Sequence, residues 1–404
     1  VLRGFRYRFY PTPEQETLLR RTLGCVRLIY NKALHERSEA WTSGKKSIGY
    51  AKQSHDLSLW KKTPDLAFLS EVSSVPLQQS LRHLQTAYSR FFKKVSKYPS
   101  FKRKHSGGSA EFTKSGFRFE DGQLTLAKMD TPLDIRWSRP LPTGADPSSV
   151  TVSLDAAGRW HVSLLCDDRT VEPLPKLKNA VGIDMGITAL ATLSTGGKIT
   201  NPRHDAKELA RKRILSRRLA KKQKGSKNQY KARMKLARLH AHVADRRRDH
   251  LHKLSSRLVH ENQVIVVEDL NVSGMVKNHS LARVISDAAW RMLFTFLVYK
   301  AAWYGRTLLK VDRFFPSSKT CHCCGHVVEN LPLDVRIWTC PNPLCGAVHD
   351  RDENAAHNIL AAGLAVARKS EVCGPDVSQC ILRSMLQSGM KQKTSSVSLG
   401  IPSL

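Results

Sequence analysis

Two pairs of cysteines constrain this chain more than any other feature. "CHCCG" places two residues between Cys321 and Cys324, and "CPNPLCG" places four between Cys340 and Cys345. Fifteen residues lie between the pairs. Short-spaced thiolate pairs at that separation describe a zinc ribbon, because each knuckle turns tightly enough for both sulfurs to reach one tetrahedral ion. Gly325 and Gly346 directly follow the knuckles and suit such turns. With Cys323, five of the nine cysteines fall in this segment, while Cys25, Cys166, Cys373 and Cys380 are scattered. Cys323 in place of Cys324 would strain the turn, and His322 is a weaker alternative ligand. Four protein sulfurs leave no open coordination position, so the expected Zn²⁺ is a single structural ion.

Carboxylates form the second constraint. "VGIDMGI" sets Asp184 within an apolar strand, and "VIVVEDL" sets Glu268 at the end of another. Such groups are rarely buried without compensation. The second cysteine knuckle runs directly into "HDRDENAAHNIL", with Asp350 and Asp352 at a helix start. The helix's apolar stripe is Ala356, Ile359, Leu360 and Leu364. Asp352 lies four residues before Ala356, on that inward face, and Asp350 is about 200° around the helix from it. Asp350 has capping-box spacing to Glu353 and is expected to cap. Strand Asp, strand Glu and helix-start Asp, in that order, make a ribonuclease H-like arrangement. Close carboxylates repel unless cations sit between them. Two Mg²⁺ ions there could activate water and stabilise the leaving oxygen of a phosphodiester. Asp184, Glu268 and Asp352 are therefore the candidate catalytic and magnesium-binding residues. Asp269 points to the opposite strand face and reads as a surface carboxylate.

Periodicity supplies the frame around these sites. The first ten residues alternate basic with aromatic or apolar side chains and read as a strand. "PTPEQETLLRRTLGCVRLIYNKALHERSEAW" reads as a helix, with Thr12 and Gln15 as a capping box. Helical signal continues over 54–60 and 74–95. "AEFTKSGFRFEDGQLTLAK" and "SVTVSLDAAGRWHVSLLCDD" alternate and break at "DG" and "AAG", as hairpins do. The expected fold is multidomain α+β: a helical bundle (11–105) inserted in a small β-barrel (1–10 and 106–172), then a ribonuclease H-like α/β domain (178–366) carrying a zinc ribbon (317–349). In the second domain, "AVGIDMGITALATLSTGGKIT" supplies three strands, "NQVIVVEDLN" a central strand, "SDAAWRMLFTFLVYKAAWYG" a helix and "RTLLKVDRFF" a strand. The Ser-, Lys- and Gln-rich stretch 367–404 reads as a disordered tail.

Charge points to the partner. Lys and Arg number 66 against 34 Asp and Glu, a net charge of +32, more than solubility needs. A polyanion, nucleic acid first, is the expected partner. No apolar run reaches spanning length and "VLRGFRYRFY" has no signal-peptide core, so an intracellular protein without membrane contact is expected. Residues 205–257 are helical and carry nineteen Lys or Arg against four Asp or Glu, a bias that favours phosphate contacts.

Taken together, the opening strand, helical insertion, "GIDMGI", "VVEDL", the four-cysteine ribbon and "DRDENAAHNI" resemble TnpB, the transposon-associated RNA-guided nucleases related to type V CRISPR effectors. "YKAAWYGR", "FFPSSKTC" and "LPLDVRIWTCP" strengthen the match, which covers about residues 1–365. The resemblance implies a guide RNA from the transposon end, double-stranded target DNA beside a short flanking motif, and cleavage at one RuvC-like site. It puts Asp184, Glu268 and Asp352 at that family's catalytic positions. It also implies a wedge role for the barrel and a recognition role for the helical domain. Tyr50, Ser54, Gln78 and Thr113 match motif-contacting positions, and Ser74 stands where the family has a basic residue. The second knuckle is longer than the family's usual spacing of two. A monomer with one RNA, cytoplasmic in a prokaryote and nucleoid-associated when on DNA, is the expectation. The alternatives are a transposase that joins strands with the same acids, a non-cleaving RNA-guided DNA-binding protein, and a structural RNA-binding protein.

Overall fold

The computed structural model describes residues 1–104 and 107–372. They divide into two compact units that meet in sequence between Thr170 and Val171.

The first unit opens with β1 (Leu2–Tyr10), whose alternation buries Phe5, Tyr7 and Phe9. Helix α1 (Pro13–Gly44) follows through the expected capping box: Thr12 Oγ1 accepts from the Gln15 amide, and Gln15 Oε1 accepts from the Thr12 amide. Helices α2 (Tyr50–Trp60) and α3 (Ser74–Phe92) complete the helical insertion. Strands β2 (Gly108–Thr113), β3 (Phe117–Glu120), β4 (Gln123–Leu126), β5 (Asp134–Arg136), β6 (Ser149–Leu154) and β7 (Trp160–Asp167) follow.

These strands correct the barrel expectation. Five form an open antiparallel sheet in the order β2-β6-β7-β1-β5, and among the described residues β3 pairs only with β4. The sheet stays open among the described residues, with β2 and β5 at its edges, β5 matching only three residues of β1, and β3 and β4 forming a separate hairpin. Leu124 and Leu126 still bury into the same core as Phe5, Leu23, Ile29, Leu77 and Leu81, so the hairpin packs beside the sheet without joining it. Asp121 and Gly122, both at positive φ, make the tight turn that "DG" signalled.

The second unit is a mixed sheet between two helical layers. Its strands are β8 (Ala180–Asp184), β9 (Ala189–Leu193) and β10 (Lys198–Thr200). Helices α4 (His204–Lys207), α5 (Leu209–Ala220) and α6 (Lys227–Glu261) intervene before β11 (Val264–Glu268). Then come α7 (Val272–Met275), α8 (Ala282–Ala288), α9 (Trp290–Trp303) and β12 (Thr307–Val311). Strands β13 (Ile337–Thr339) and β14 (Val348–Asp350) form a small hairpin, and α10 (Arg351–Val372) ends the described chain. The order is β10-β9-β8-β11-β12, with β8, β11 and β12 parallel and β9 and β10 antiparallel to their neighbours.

Strand alternation sorts side chains between the layers. Val181, Ile183, Ile265, Val267 and Leu308 meet α6 and α9 through Leu254, Leu258, Leu293 and Leu297. Val266, Leu309 and Val311 meet Ile359 of α10 on the other face. Helix α10 lies unusually close: a Cβ on Gly182 would sit 2.1 Å from the Ala356 carbonyl oxygen, and one on Gly363 would sit 2.3 Å from Val266. The "YKAAWYGR" cations are buried braces. Lys300 Nζ donates to His252 O, Ser255 Oγ and Ser256 Oγ, each at 2.8 Å, and Arg306 donates to Val259 O at 2.9 Å.

Three sequence expectations shift. Ala289, at φ 52°, separates α8 from α9 where one helix was expected. The basic region, expected to be helical without set divisions, forms three helices. Helix α10 continues through residues 367–372, and the rest of the expected tail lies outside the described residues. No helix is long and apolar enough to cross a membrane among the described residues.

Candidate active site and metal centre

The same alternation aims the carboxylates. Ile183 and Val267 are register partners pointing toward α6 and α9, so Asp184 and Glu268, each one residue on, point toward α10. Both stand at the carboxyl ends of adjacent parallel strands, where open α/β sheets collect their ligands. Asp352 sits in the first turn of α10, whose inward face carries Ala356, Ile359 and Gly363. Burial, then the negative charges of Glu268 and Asp352, push the Asp184 carboxyl from 3.8 up to about 7, against a smaller opposing pull from Arg351. The three carboxylates thus feel one another, although among the described residues they do not converge within 4.8 Å as the four thiols do.

Their neighbours separate them from the other acids nearby. Asp269 faces the opposite side and is neutralised by Lys310 and Arg313, each at 2.9 Å. Asp350 pairs with Lys198 at 2.6 Å, and its Oδ1 accepts from the Asp352 and Glu353 amides, each at 3.1 Å. It therefore caps α10. Only the forward half of the capping box forms, since no Glu353 side-chain bond back to the Asp350 amide occurs among the described residues. Among the described residues the Asp352 carboxylate has only a long contact to an exposed Arg336, at 3.4 Å. No cation pairs with Asp184 or Glu268 among the described residues. Two carboxylates without a counter-ion and a third weakly paired suit divalent metal binding.

The cysteines fit zinc. Cys321, Cys324, Cys340 and Cys345 hold their sulfurs within 4.8 Å of one another. Cys321 lies 3.7 Å from Cys345 and Cys324 lies 3.6 Å from Cys340. Tetrahedral Zn–S bonds of about 2.3 Å require sulfurs about 3.8 Å apart. Gly325 and Gly346 both take positive φ, at 76° and 52°, and the longer second loop closes through Gly346 N to Asn342 O at 3.1 Å. Cys323 is exposed and belongs to a different grouping, with Cys321 and His349. His322 instead bonds Asn354 Oδ1 at 3.0 Å. His349, not singled out by spacing, is buried with Nε2 3.0 Å from Cys321 Sγ, a distance that suits N–H donation to a thiolate.

Three of the four motif-reading candidates meet. Gln78 Oε1 accepts from Ser54 Oγ at 3.0 Å and from Tyr50 Oη at 3.4 Å, joining α2 to α3. Thr113 ends β2 opposite Ser149 and is not bonded to that trio. Arg82, four residues after Gln78 and not singled out from the sequence, joins this group: its Nε donates to Tyr50 Oη at 3.2 Å and its guanidinium lies 5.5 Å from the Tyr50 ring centre. The i, i+4 spacing on α3 was the available signal.

Comparison with known proteins identifies the family. Family models match residues 161–279 ("Probable transposase"), 290–359 (the Cas12f1-like TNB domain) and 1–46 ("Helix-turn-helix domain"). The last of these spans a strand and one helix here. A "Putative RNA-guided DNA endonuclease" of Streptomyces pristinaespiralis is 58% identical over 406 residues, covering 100% of this chain and 99% of the relative. "Putative RNA-guided DNA endonuclease InsQ" of Escherichia coli K12 is 33% identical over 391 residues, covering 92% and 94%. The fold is similar to the protein in a Cas12f1–sgRNA–target DNA complex, with a TM-score of 0.55 at 16% identity over 86% of this chain and 83% of that one. The chain belongs to the TnpB (OrfB_IS605) family, among whose members these relatives carry the name "Putative RNA-guided DNA endonuclease".

Proposed function

We propose that this chain is an RNA-guided DNA endonuclease that takes a guide RNA from a transposon end and cleaves matched double-stranded DNA at one RuvC-like site. The observation that carries the reading is the trio Asp184, Glu268 and Asp352, delivered to one side of a sheet by two adjacent parallel strands and a helix start. The order β10-β9-β8-β11-β12 suits a ribonuclease H-like domain. Two Mg²⁺ ions held by these acids would supply Lewis acidity to the attacking water and the leaving phosphodiester oxygen. Burial and the neighbouring acids raise the Asp184 carboxyl to about 7 in the metal-free chain, so cations held between these acids would favour its ionised form. Lys198 keeps Asp350 in its capping role and out of the metal set. A Zn²⁺ on the four cysteines would close the ribbon without chemistry of its own.

Specificity in this reading comes from base pairing, with the protein reading the short flanking motif. Tyr50, Ser54 and Gln78 offer a polar face for that motif, with Thr113 as a separate contact. The protein acts as a monomer with one RNA, in the cytoplasm and at the nucleoid. The "Probable transposase" family name keeps one alternative, strand joining by the same acids without RNA. Sequencing the RNA that co-purifies, then offering a DNA target matched to it, tests the reading. Cutting in Mg²⁺ by wild type, lost in Glu268→Gln with RNA retained, is expected. Absence of any bound RNA, with transposon-end joining instead, would replace it.

A further inference from the structure

The loop between β12 and the first zinc knuckle supplies a side chain to Glu268. Ser317 is buried, and its Oγ donates to Glu268 Oε1 at 2.6 Å. A hydroxyl fixes this oxygen without bringing a charge. A lysine or arginine there would neutralise the carboxylate, as Lys310 and Arg313 do at Asp269, and so compete with a metal ion. Glu268 Oε2 accepts no hydrogen bond among the described residues, so it stays open for a cation. Metal-binding carboxylates are commonly held by just such a neighbour.

The serine is itself held by the helix that carries Asp352. Asn354 and Asn358, one turn apart on α10, are both buried. Asn358 Nδ2 donates to Ser317 O at 2.8 Å and to Thr320 O at 2.6 Å. Asn354 Nδ2 donates to Thr320 O at 2.7 Å, and its Oδ1 accepts from the His322 amide at 3.0 Å. Thr320 and His322 flank Cys321, so the clamp also grips the first zinc knuckle. Glu268 on β11 and Asp352 on α10 are thereby tied through one short loop.

We propose that Ser317 is a positioning residue for the divalent-metal site, with Asn354 and Asn358 setting its place relative to Asp352. The proposal rests on the carboxylate reading given under Proposed function. Loss of the hydroxyl frees the Glu268 carboxylate to rotate and weakens metal binding, while the ribbon and the fold stay intact.

The test titrates Mn²⁺ alone into the full-length, zinc-loaded protein freed of nucleic acid, followed by electron paramagnetic resonance. Variants are Ser317→Ala, Ser317→Thr and Glu268→Gln, with zinc content and melting temperature measured on each. Ser317→Ala is expected to weaken Mn²⁺ binding about tenfold, as losses of such supporting groups do, at unchanged zinc content. Ser317→Thr, which keeps the hydroxyl, should recover most of that loss. If Glu268→Gln abolishes binding and Ser317→Ala leaves it unchanged, the positioning role is overturned. If Glu268→Gln leaves wild-type binding unchanged, the carboxylate site itself is wrong. A Ser317→Ala loss that falls together with zinc or melting temperature, and is not recovered by Ser317→Thr, assigns the serine to folding and also overturns the proposal.

Discussion

Two aspartates separated by one residue do different work at the start of α10. Asp350 accepts two helix amides and pairs with Lys198, whereas Asp352 faces the sheet, its carboxylate making a single long contact to Arg336 among the described residues. Asp350→Ala is expected to cost about 1 kcal/mol of stability, as cap losses do, and to leave cleavage measurable. Asp352→Ala is expected to fold normally and abolish cleavage. Paired chemical denaturation and cleavage assays check both, and a dead Asp350→Ala beside an active Asp352→Ala would reverse the assignment. Asp184 adds a pH signature. Its carboxyl is raised from 3.8 to about 7, mainly by burial and then by Glu268 and Asp352. Between about pH 4 and pH 7 the unfolded chain has lost a proton that the folded chain keeps, so stability falls as pH rises through that window. Zinc-loaded, magnesium-free protein should therefore lose denaturation midpoint from pH 5 to pH 7. Asp184→Asn should flatten the trend, and added Mg²⁺ should offset it. An equal slope in wild type and Asp184→Asn would show that Asp184 does not carry the effect.

At the level of elements, the close approach of α10 to the sheet is what makes the site possible. Any side chain at Gly182 meets the Ala356 backbone at 2.1 Å, which cannot yield as a flexible side chain would. Gly182→Ala should cost about 1–3 kcal/mol through this overpacking and displace Asp352 from Asp184. Thermal melting with a Mn²⁺ titration reads both effects, and a variant as stable as wild type would mean that α10 sits farther out. If the four cysteines hold zinc as proposed, Cys340→Ser should lose zinc and soluble yield together, because metal binding and local folding are coupled. Zinc-free protein that is well folded by elemental analysis and melting would remove that coupling.

Much of this architecture was legible because it follows local rules. Alternation in β1, the Thr12–Gln15 box, the "DG" turn and the apolar runs of β8 and β11 each declare themselves within a few residues. The open sheet was not legible, since whether β5 pairs with β1 or β3 depends on long-range register that three residues barely encode. Nor was the break at Ala289, where an alanine takes a left-handed conformation that its type does not advertise. At the candidate site, periodicity singled out Asp184, Glu268 and Asp352, and spacing singled out the four cysteines whose sulfurs the fold gathers. Ser317, Asn354, Asn358 and His349 escaped, because short polar side chains acquire roles only from the partners that tertiary packing brings to them.

At the scale of the molecule, charge and its placement matter most. Arg211, Lys212, Arg246, Arg247, Arg248 and Lys253 are ion-paired. From Arg213 to Arg238, along α5 and the first half of α6, the lysines and arginines have no ion pair among the described residues. That stretch is where phosphates would find open cations. RNA affinity should fall steeply with salt, and each phosphate contact removed by changes such as Lys231→Gln or Lys235→Gln should lower the slope of log affinity on log salt by about 0.7–0.9. A flat salt response would contradict it. The central claim is that Asp184, Glu268 and Asp352 form a metal-dependent site that cuts DNA chosen by a bound RNA. It is tested most directly by purifying wild type and Asp184→Asn with their RNA and measuring, in Mg²⁺, both binding and cleavage of a target matched to that RNA beside a randomised flank. Wild type should cut matched DNA and spare unmatched DNA, and Asp184→Asn should retain the RNA and bind the matched target without cutting it. An Asp184→Asn protein that cuts as wild type does would contradict the account.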